Sequence, residues 1–334
     1  MRLIRALTSI FFGGLLLVAV VIGGVFFWGN AQFNAPGPSA AESAEETVIM
    51  VDFGMGVSSI GARLESEGLI TSARLFSVGV RLAGEQNNLK AGEYAIPSEA
   101  TMREIMEIMR DGISIKHWIT VPEGLANVQI IEIIAANEVL VGEMPEMPGE
   151  GEILPETYDF LRGTTRAEII ARMVQAMDDT LAELWEGRAE DTPLETPYEA
   201  LILASIVQKE TGLAQETPLV ASVFINRLNI SYRLQSDPTI IYGLTQGVPL
   251  GRPIRQSELD RVTGYNTYHI DRLPPTPIAA PGRAAIEAVL NPPDTDYLYF
   301  VADGTGGHAF ARSVQEHNRN VANWRRIQRE RGER

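Results

Sequence analysis

Apolar and polar positions along the chain fall into stretches with different periods, and each period predicts an element. Ile10 to Gly29 (IFFGGLLLVAVVIGGVFFWG) runs for twenty residues without a charge, enough for a helix rising ~1.5 Å per residue to cross a hydrocarbon layer of ~30 Å. A cleavable signal segment has an apolar run of only ~7–15 residues, so residues 6–29 read as a single membrane-spanning helix behind a short N-terminus, residues 1–5. Arg2 and Arg5 precede it, and the first charges after it are Glu42, Glu45 and Glu46. By the positive-inside rule the N-terminus is then cytoplasmic, and the rest lies on the periplasmic or extracellular side of the cytoplasmic (inner) membrane. Residues 30–46, with Pro36, Gly37, Pro38 and several alanines, read as a flexible tether of ~20–25 Å reach.

From Thr47 the periods shorten. TVIMVDF alternates like a strand, Val57 to Gly68 and Ser72 to Leu82 repeat at helical spacing, LKAGEYAI is a second strand, and Thr101 caps a third helix ending at Gly112. Residues 47–116 are thus a strand-helix-helix-strand unit with one added helix. Residues 117–196 form a connecting region. It holds a strand in KHWITVPEG, a helix from Asn127 to Asn137, GEMPEMPGEGE as a surface loop, and a long helix from Thr165 to Gly187 with Ile169, Ile170, Met173 and Met177 in its core stripe. Thr196-Pro197-Tyr198-Glu199 has the form of a capping box with Pro at the first helical position, and Gly212 is placed to stop that helix. Thr217-Pro218 opens another, PLVASVFINRLNI, and YLYFVADGTGGHAFARS reads as a hairpin closed by a glycine-rich turn. The fold class is α+β, with residues 197–334 as a mixed domain of their own.

Composition narrows what such a chain can do. With 334 residues and 45% apolar content it can bury a sizeable core. The absence of cysteine excludes a disulfide framework, a thiolate nucleophile and a Cys-built zinc site. A net charge of -15 argues against nucleic acid as a partner, since that affinity rests on Lys and Arg neutralising phosphates. His117, His269, His308 and His317 show no ligand spacing, so no metal site and no cofactor are expected. Asp52-Phe53-Gly54 and Gly54-Met55-Gly56 match fragments of kinase and dinucleotide motifs without their companions, and a strand-to-helix turn explains them.

The candidate chemistry lies in LASIVQKETG, residues 203–212. Glu210 falls in the last helical turn, on the face of Val207, Ile206 and Leu203, with Lys209 to one side. The negative end of the helix dipole and the apolar neighbours both disfavour its charged form. A carboxyl still protonated near neutrality is what a general acid must be; the plain alternative is a solvated Glu at a fraying helix end. Asn226 near the end of the next helix stands where the helical hairpin can present it with Glu210 to one cleft. Asp237 before Pro238 reads as the N-cap of a short helix or as a polar contact in the site. Tyr232, Tyr242, Tyr265, Tyr268, Tyr297 and Tyr299 cluster between residues 232 and 299, suited to half-buried packing or to stacking on a sugar.

Five blocks in this order, LASIVQKET, VASVFINRL, RLQSDPTIIYG, YNTYHIDRLPPTPIAAPG and YLYFVADGTGGHAF, resemble the endolytic murein transglycosylases of the YceG-like family. The resemblance covers nearly the whole chain and implies an N-terminal anchor, a LysM-like subdomain at residues 47–116 with LKAGEY as its strand, and a catalytic domain at 197–334. It implies a lyase that cuts the MurNAc-β-1,4-GlcNAc bond of peptidoglycan strands without water, with Glu210 as catalytic acid and Asn226, Gln235, Asp237 and Tyr242 orienting the sugar. Its partners would be glycan strands, membrane lipid and cell-wall synthases such as penicillin-binding proteins. The family commonly has Glu-Lys-Glu-Thr where this chain has Gln208-Lys209-Glu210-Thr211, which leaves Glu210 as the only carboxylate of the pair. A hydrolytic muramidase using Asp237 as second carboxylate, and a non-catalytic glycan-binding scaffold, are the alternatives.

Overall fold

The computed structural model describes residues 2–39 and 45–332, with side chains from Phe12 onward. Glu42 and the side chains of Ile10, Arg2 and Arg5 lie outside the described residues. The chain forms two compact units, Met1–His117 and Trp118–Arg334.

In the first unit, α1 (Arg2–Phe33) contains an apolar span, Phe12–Phe33, long enough to cross a membrane and compatible with a single-pass anchor. The helix continues beyond the expected residue 29, and its last residue, Phe33, is only 4% exposed. Residues 30–39 therefore do not behave as a tether: the Gly37 N–H donates to Glu99 O (3.0 Å) and the Glu99 N–H to Pro38 O (3.3 Å). The cause is Phe33, whose ring finds Phe76 at 6.5 Å in the core of the unit. Residues 40–44 of the expected tether lie outside the described residues. Strand β1 (Glu46–Val51) pairs antiparallel with β2 (Gly92–Pro97), and α2 (Val57–Ser66), α3 (Ala73–Leu82) and α4 (Met102–Asp111) complete the unit in the order the periodicity predicts. Ile49, Leu64, Phe76, Tyr94, Ile105 and Met106 form its core. Thr101 and Glu104 make a reciprocal capping box, and Gly112 ends α4 in the left-handed region.

Strand β3 (Lys116–Thr120) leads into the second unit and pairs with β4 (Thr157–Leu161); α5 (Asn127–Ala136) and α6 (Arg166–Glu186) pack with them around Ile130, Ile134, Phe160 and Met173. The stretch read as a surface loop, residues 142–152, is instead tied in at its end. Glu150 accepts the Asn127 N–H (2.9 Å) at the start of α5, and the Tyr242 hydroxyl donates to it (3.1 Å). Burial raises the Glu150 carboxyl above its ordinary pKa.

The remaining elements are α7 (Pro197–Glu210), α8 (Thr217–Asn229), α9 (Asp237–Thr245), α10 (Gln256–Leu259), α11 (Arg283–Leu290), the antiparallel hairpin β5 (Tyr299–Ala302) and β6 (His308–Ala311), and α12 (Val314–Glu330). Helix α7 touches α6, α8, α9 and α11. Every residue from Ala200 to Val207 is buried, so α7 is apolar all round and occupies the centre of this unit. Both of its ends differ in detail from the sequence reading. Thr196 Oγ1 accepts the Glu199 N–H, but the Glu199 carboxylate accepts the Glu195 N–H rather than closing the box on Thr196. At the C-terminus Thr211, not Gly212, breaks the helix by turning extended (φ -139°, ψ 137°), and its Oγ1 accepts the Leu213 N–H.

Candidate active site

Glu210 is the last residue of α7 and keeps partial exposure at the end of an otherwise buried helix. The packing that buries α7 encloses its carboxyl, and this desolvation pushes the pKa from 4.5 up to about 7. The Ser236 hydroxyl donates to Glu210 Oε1 (2.5 Å) and pulls the other way, the nearby negative charge of Asp237 raises it further, and the basic side chains of His308 and Arg227 lower it. Burial wins, because a single neutral donor recovers only part of the hydration that a carboxylate loses. Glu210 therefore changes protonation near neutrality.

Its two neighbours in α7 are tied elsewhere. Lys209 Nζ donates to Gly124 O (2.9 Å), and Gln208 Oε1 accepts the Gly282 N–H (3.0 Å). At Gln208 the structural task is to accept one backbone hydrogen bond, which an amide performs without charge.

Two basic residues that the sequence reading did not assign to the site, Arg227 and His308, act on the Glu210 carboxyl. Arg227 on α8 is 6% exposed; its Nε donates to Leu298 O (2.7 Å) and a terminal nitrogen to Leu234 O. The guanidinium lies 5.5 Å from the ring centroids of both Tyr232 and Tyr299, which meet edge to face. His308, the first residue of β6, donates from Nδ1 to Glu216 Oε2 (2.7 Å), while its backbone N–H donates to Glu216 Oε1 (2.8 Å). The carboxylate can straddle the hairpin there because residue 307 is glycine: a Cβ would stand 2.4 Å from Glu216 Oε1.

The four residues expected to orient a sugar divide. Asn226 spends its amide donors on Thr295 O (2.7 Å) and Tyr297 O (3.0 Å), clasping the segment before β5. Tyr242 is buried, bonded to Glu150 and packed on Tyr265 at 5.1 Å between centroids. Both are held by protein groups at other places than the Glu210 carboxyl. Asp237 and Gln235 flank Ser236 and so lie beside Glu210. Asp237 is not the N-cap of α9, because Ser236 takes that position; Asp237 is exposed and accepts from the Tyr268 hydroxyl (2.8 Å). Gln235 adopts a left-handed backbone (φ 51°) with its N–H on Thr267 O, and its side chain has no hydrogen-bond partner among the described residues. A half-exposed amide without a protein partner among the described residues, next in sequence to Ser236 and on a backbone conformation that costs energy, is the kind of arrangement found at ligand sites.

The Glu210 carboxyl, titrating near neutrality, thus sits among the Ser236 hydroxyl, the exposed Asp237 carboxylate and the basic side chains of Arg227 and His308. The sequence profile of the YceG-like family matches residues 49–323. The chain belongs to the YceG-like family. A Bacillus subtilis (strain 168) protein named endolytic murein transglycosylase is 28% identical over 331 residues, covering 90% of each chain. A protein of the same name from Streptococcus pneumoniae (strain ATCC BAA-255 / R6) is 28% identical over 355 residues, covering 92% of this chain and 64% of the relative. The chain thus spans just under two thirds of that relative's length. A crystal structure of a yceG-like protein from Listeria monocytogenes matches with a TM-score of 0.52 and 29% identity, covering 83% of this chain and 99% of that one. In this YceG-like chain the Glu210 cluster is drawn from α7, α8, the segment entering α9, and the β5-β6 hairpin.

Proposed function

We propose that the chain is a membrane-anchored lytic transglycosylase that cuts peptidoglycan strands internally at the MurNAc-β-1,4-GlcNAc bond and leaves 1,6-anhydro-MurNAc ends. The observation that carries this reading is the Glu210 carboxyl, enclosed at the end of α7 with the Ser236 hydroxyl on its Oε1 and raised to about 7 by burial. Protonated Glu210 gives its proton to the bridging oxygen as the C1–O bond breaks and positive charge spreads over C1 and the ring oxygen. The carboxylate it becomes then takes the proton of the MurNAc 6-hydroxyl while O6 bonds to C1. The proton returns to Glu210, no water is consumed, and one residue serves as acid and base in turn. The buried Arg227 guanidinium and the Ser236 hydroxyl supply the surroundings that make the intermediate carboxylate tolerable. Gln235 and Asp237 are the proposed sugar contacts nearest the carboxyl. With α1 as anchor, the natural substrate is newly made glycan close to the membrane, and cell-wall synthases are the expected partners. The LysM-like character of residues 47–116 belongs to the same proposal.

The nearness of Asp237 to Glu210 favours one other reading, a hydrolytic muramidase in which Asp237 is the second carboxylate. One pair of variants separates the two. For a general acid, activity falls as pH rises through its pKa, so the basic limb of the kcat profile should lie near pH 7. Ser236→Ala removes a bond that favours the carboxylate and should move this limb to higher pH. Asp237→Asn removes a negative charge and should move it to lower pH while part of the activity survives. Complete loss in folded Asp237→Asn would favour the muramidase; limbs that fail to move in opposite directions would mean that Glu210 does not set the profile.

A further inference from the structure

Helix α3 is apolar on two faces. Phe76 and Val80 are fully buried in the core of the first unit, yet Val78 and Leu82, on the other face, are 50% and 68% exposed. A helix lying on a water-facing surface carries polar residues there. This outward face meets α1 instead. Phe33 seats on Gly79, where a Cβ would lie 2.3 Å from the ring, and Gly29 approaches Leu75, so the joint brings α3 against the last turns of the apolar span. Between the two helices lies a groove of about 580 Å³, walled by Val21, Val25 and Phe26 of α1 and by Leu75, Val78 and Leu82 of α3. That volume is within the ~300–1,000 Å³ of small-ligand sites.

We propose that an acyl chain of a bilayer phospholipid fills this groove, and that α3 lies in the membrane interface with Val78 and Leu82 at the hydrocarbon boundary. The inference rests on reading α1 as a membrane anchor, since one wall of the groove is the span itself and the groove is continuous with its lipid-facing surface. The borders fit a phospholipid. In a chain of net charge -15, the charged residues lining this groove and the adjoining hollow among the described residues are both cations: Arg74, and Arg103, whose Nε donates to Asn34 Oδ1 while its guanidinium lies over Phe33; both put positive charge at the border where an anionic headgroup would sit. Trp28 lines both and has the amphipathic ring enriched at membrane interfaces. Apart from Trp28, Asn30 and Arg103 the side chains lining the groove are apolar, which suits an acyl chain better than a sugar. The consequence is that the first unit does not swing on a tether but is fixed on the bilayer surface in one orientation.

The chain contains no cysteine, so single nitroxide labels can be placed without background. Val78→Cys and Leu82→Cys, each in the full chain reconstituted in phosphatidylethanolamine/phosphatidylglycerol vesicles, are compared with Val18→Cys in the span and Glu65→Cys on the exposed side of α2. Relaxation by oxygen against that by a water-soluble nickel chelate reports depth. The expected result is a lipid-like ratio at positions 18, 78 and 82, several-fold above that at 65, with position 82 becoming water-like when Gly79→Val is added to unseat Phe33. Water-like labels at 78 and 82 beside a lipid-like 18 overturn the inference and leave the anchor standing. A water-like label at 18 shows that the anchor reading has failed, and this inference with it. Spin-spin broadening between copies at 78 or 82 means that a second chain covers the face, which also overturns it.

Discussion

Glu210→Gln is expected to remove glycan cleavage from purified sacculi and at the same time to make the protein more stable in alkaline solution. The first effect follows from the two proton transfers assigned to one carboxyl; general acid-base catalysis contributes ~10²–10⁴-fold per group, so a loss of at least ~10³-fold is expected. The second follows from linkage. Folding raises the Glu210 pKa from 4.5 to about 7, so the folded state binds the proton more tightly than the unfolded state does. The favourable contribution is complete below about pH 4 and is lost as pH rises through about 7. Above that the wild type carries a charged carboxylate in a desolvated place, a penalty of roughly 3 kcal/mol at ~1.36 kcal/mol per pKa unit. Glutamine never ionises. Denaturant midpoints of the two proteins should coincide near pH 4 and diverge by pH 8–9, with the variant higher. Equal stability at pH 9 would contradict the burial of Glu210, whatever the activity showed.

Arg227→Met is expected to have the largest effect on the fold. The guanidinium satisfies Leu298 O and Leu234 O inside the protein, and methionine fills similar space without donors. Orphaned buried carbonyls cost ~1–3 kcal/mol each, partly offset because a buried cation is removed as well, so the expected loss is about 2–4 kcal/mol. At ~2–4 °C per kcal/mol for a domain of ~150–250 residues, Tm should fall by about 5–15 °C. A cation that favours the Glu210 carboxylate is lost too, so the basic limb of whatever activity remains should move to higher pH. An unchanged Tm would mean that water already serves those carbonyls. A lower Tm with an unmoved limb would make Arg227 a structural clasp alone.

The contrast between Asn226 and Arg227 shows what was legible in the sequence and what was not. Spacing puts Asn226 near the end of α8, but neighbours on a helix point ~100° apart, and only tertiary packing decides that the adjacent Arg227, not Asn226, acts on the Glu210 carboxyl through its charge. The local signals held: the helix opening at Thr196, the buried face of α7, the position of Glu210 in its last turn, and the β5-β6 hairpin were all readable from periodicity and capping. What failed to show were partners distant in the chain. Ser236 lies 26 residues from Glu210, and His308 lies 92 residues from Glu216. Glu216 carries no local signal, and Gly307 reads only as part of a glycine-rich turn, because what joins them is the placement of the hairpin against the start of α8. Phe33 misled for the same reason, since a tether and a docked segment have the same composition and differ only by the bare backbone at Gly79.

The assignment of a lytic mechanism is tested most directly by the ends it leaves. If O6 of MurNAc is held near C1, an intramolecular nucleophile with an effective molarity of ~10⁵ M or more outcompetes bulk water at ~55 M. Sacculi are incubated with the full-length protein in heavy-oxygen water, then digested and analysed by mass spectrometry. New ends should be 1,6-anhydro-MurNAc, one water lighter than hydrolytic ends, resistant to borohydride and free of the heavy label. Predominantly reducing MurNAc ends carrying the label would contradict it and make the protein a muramidase.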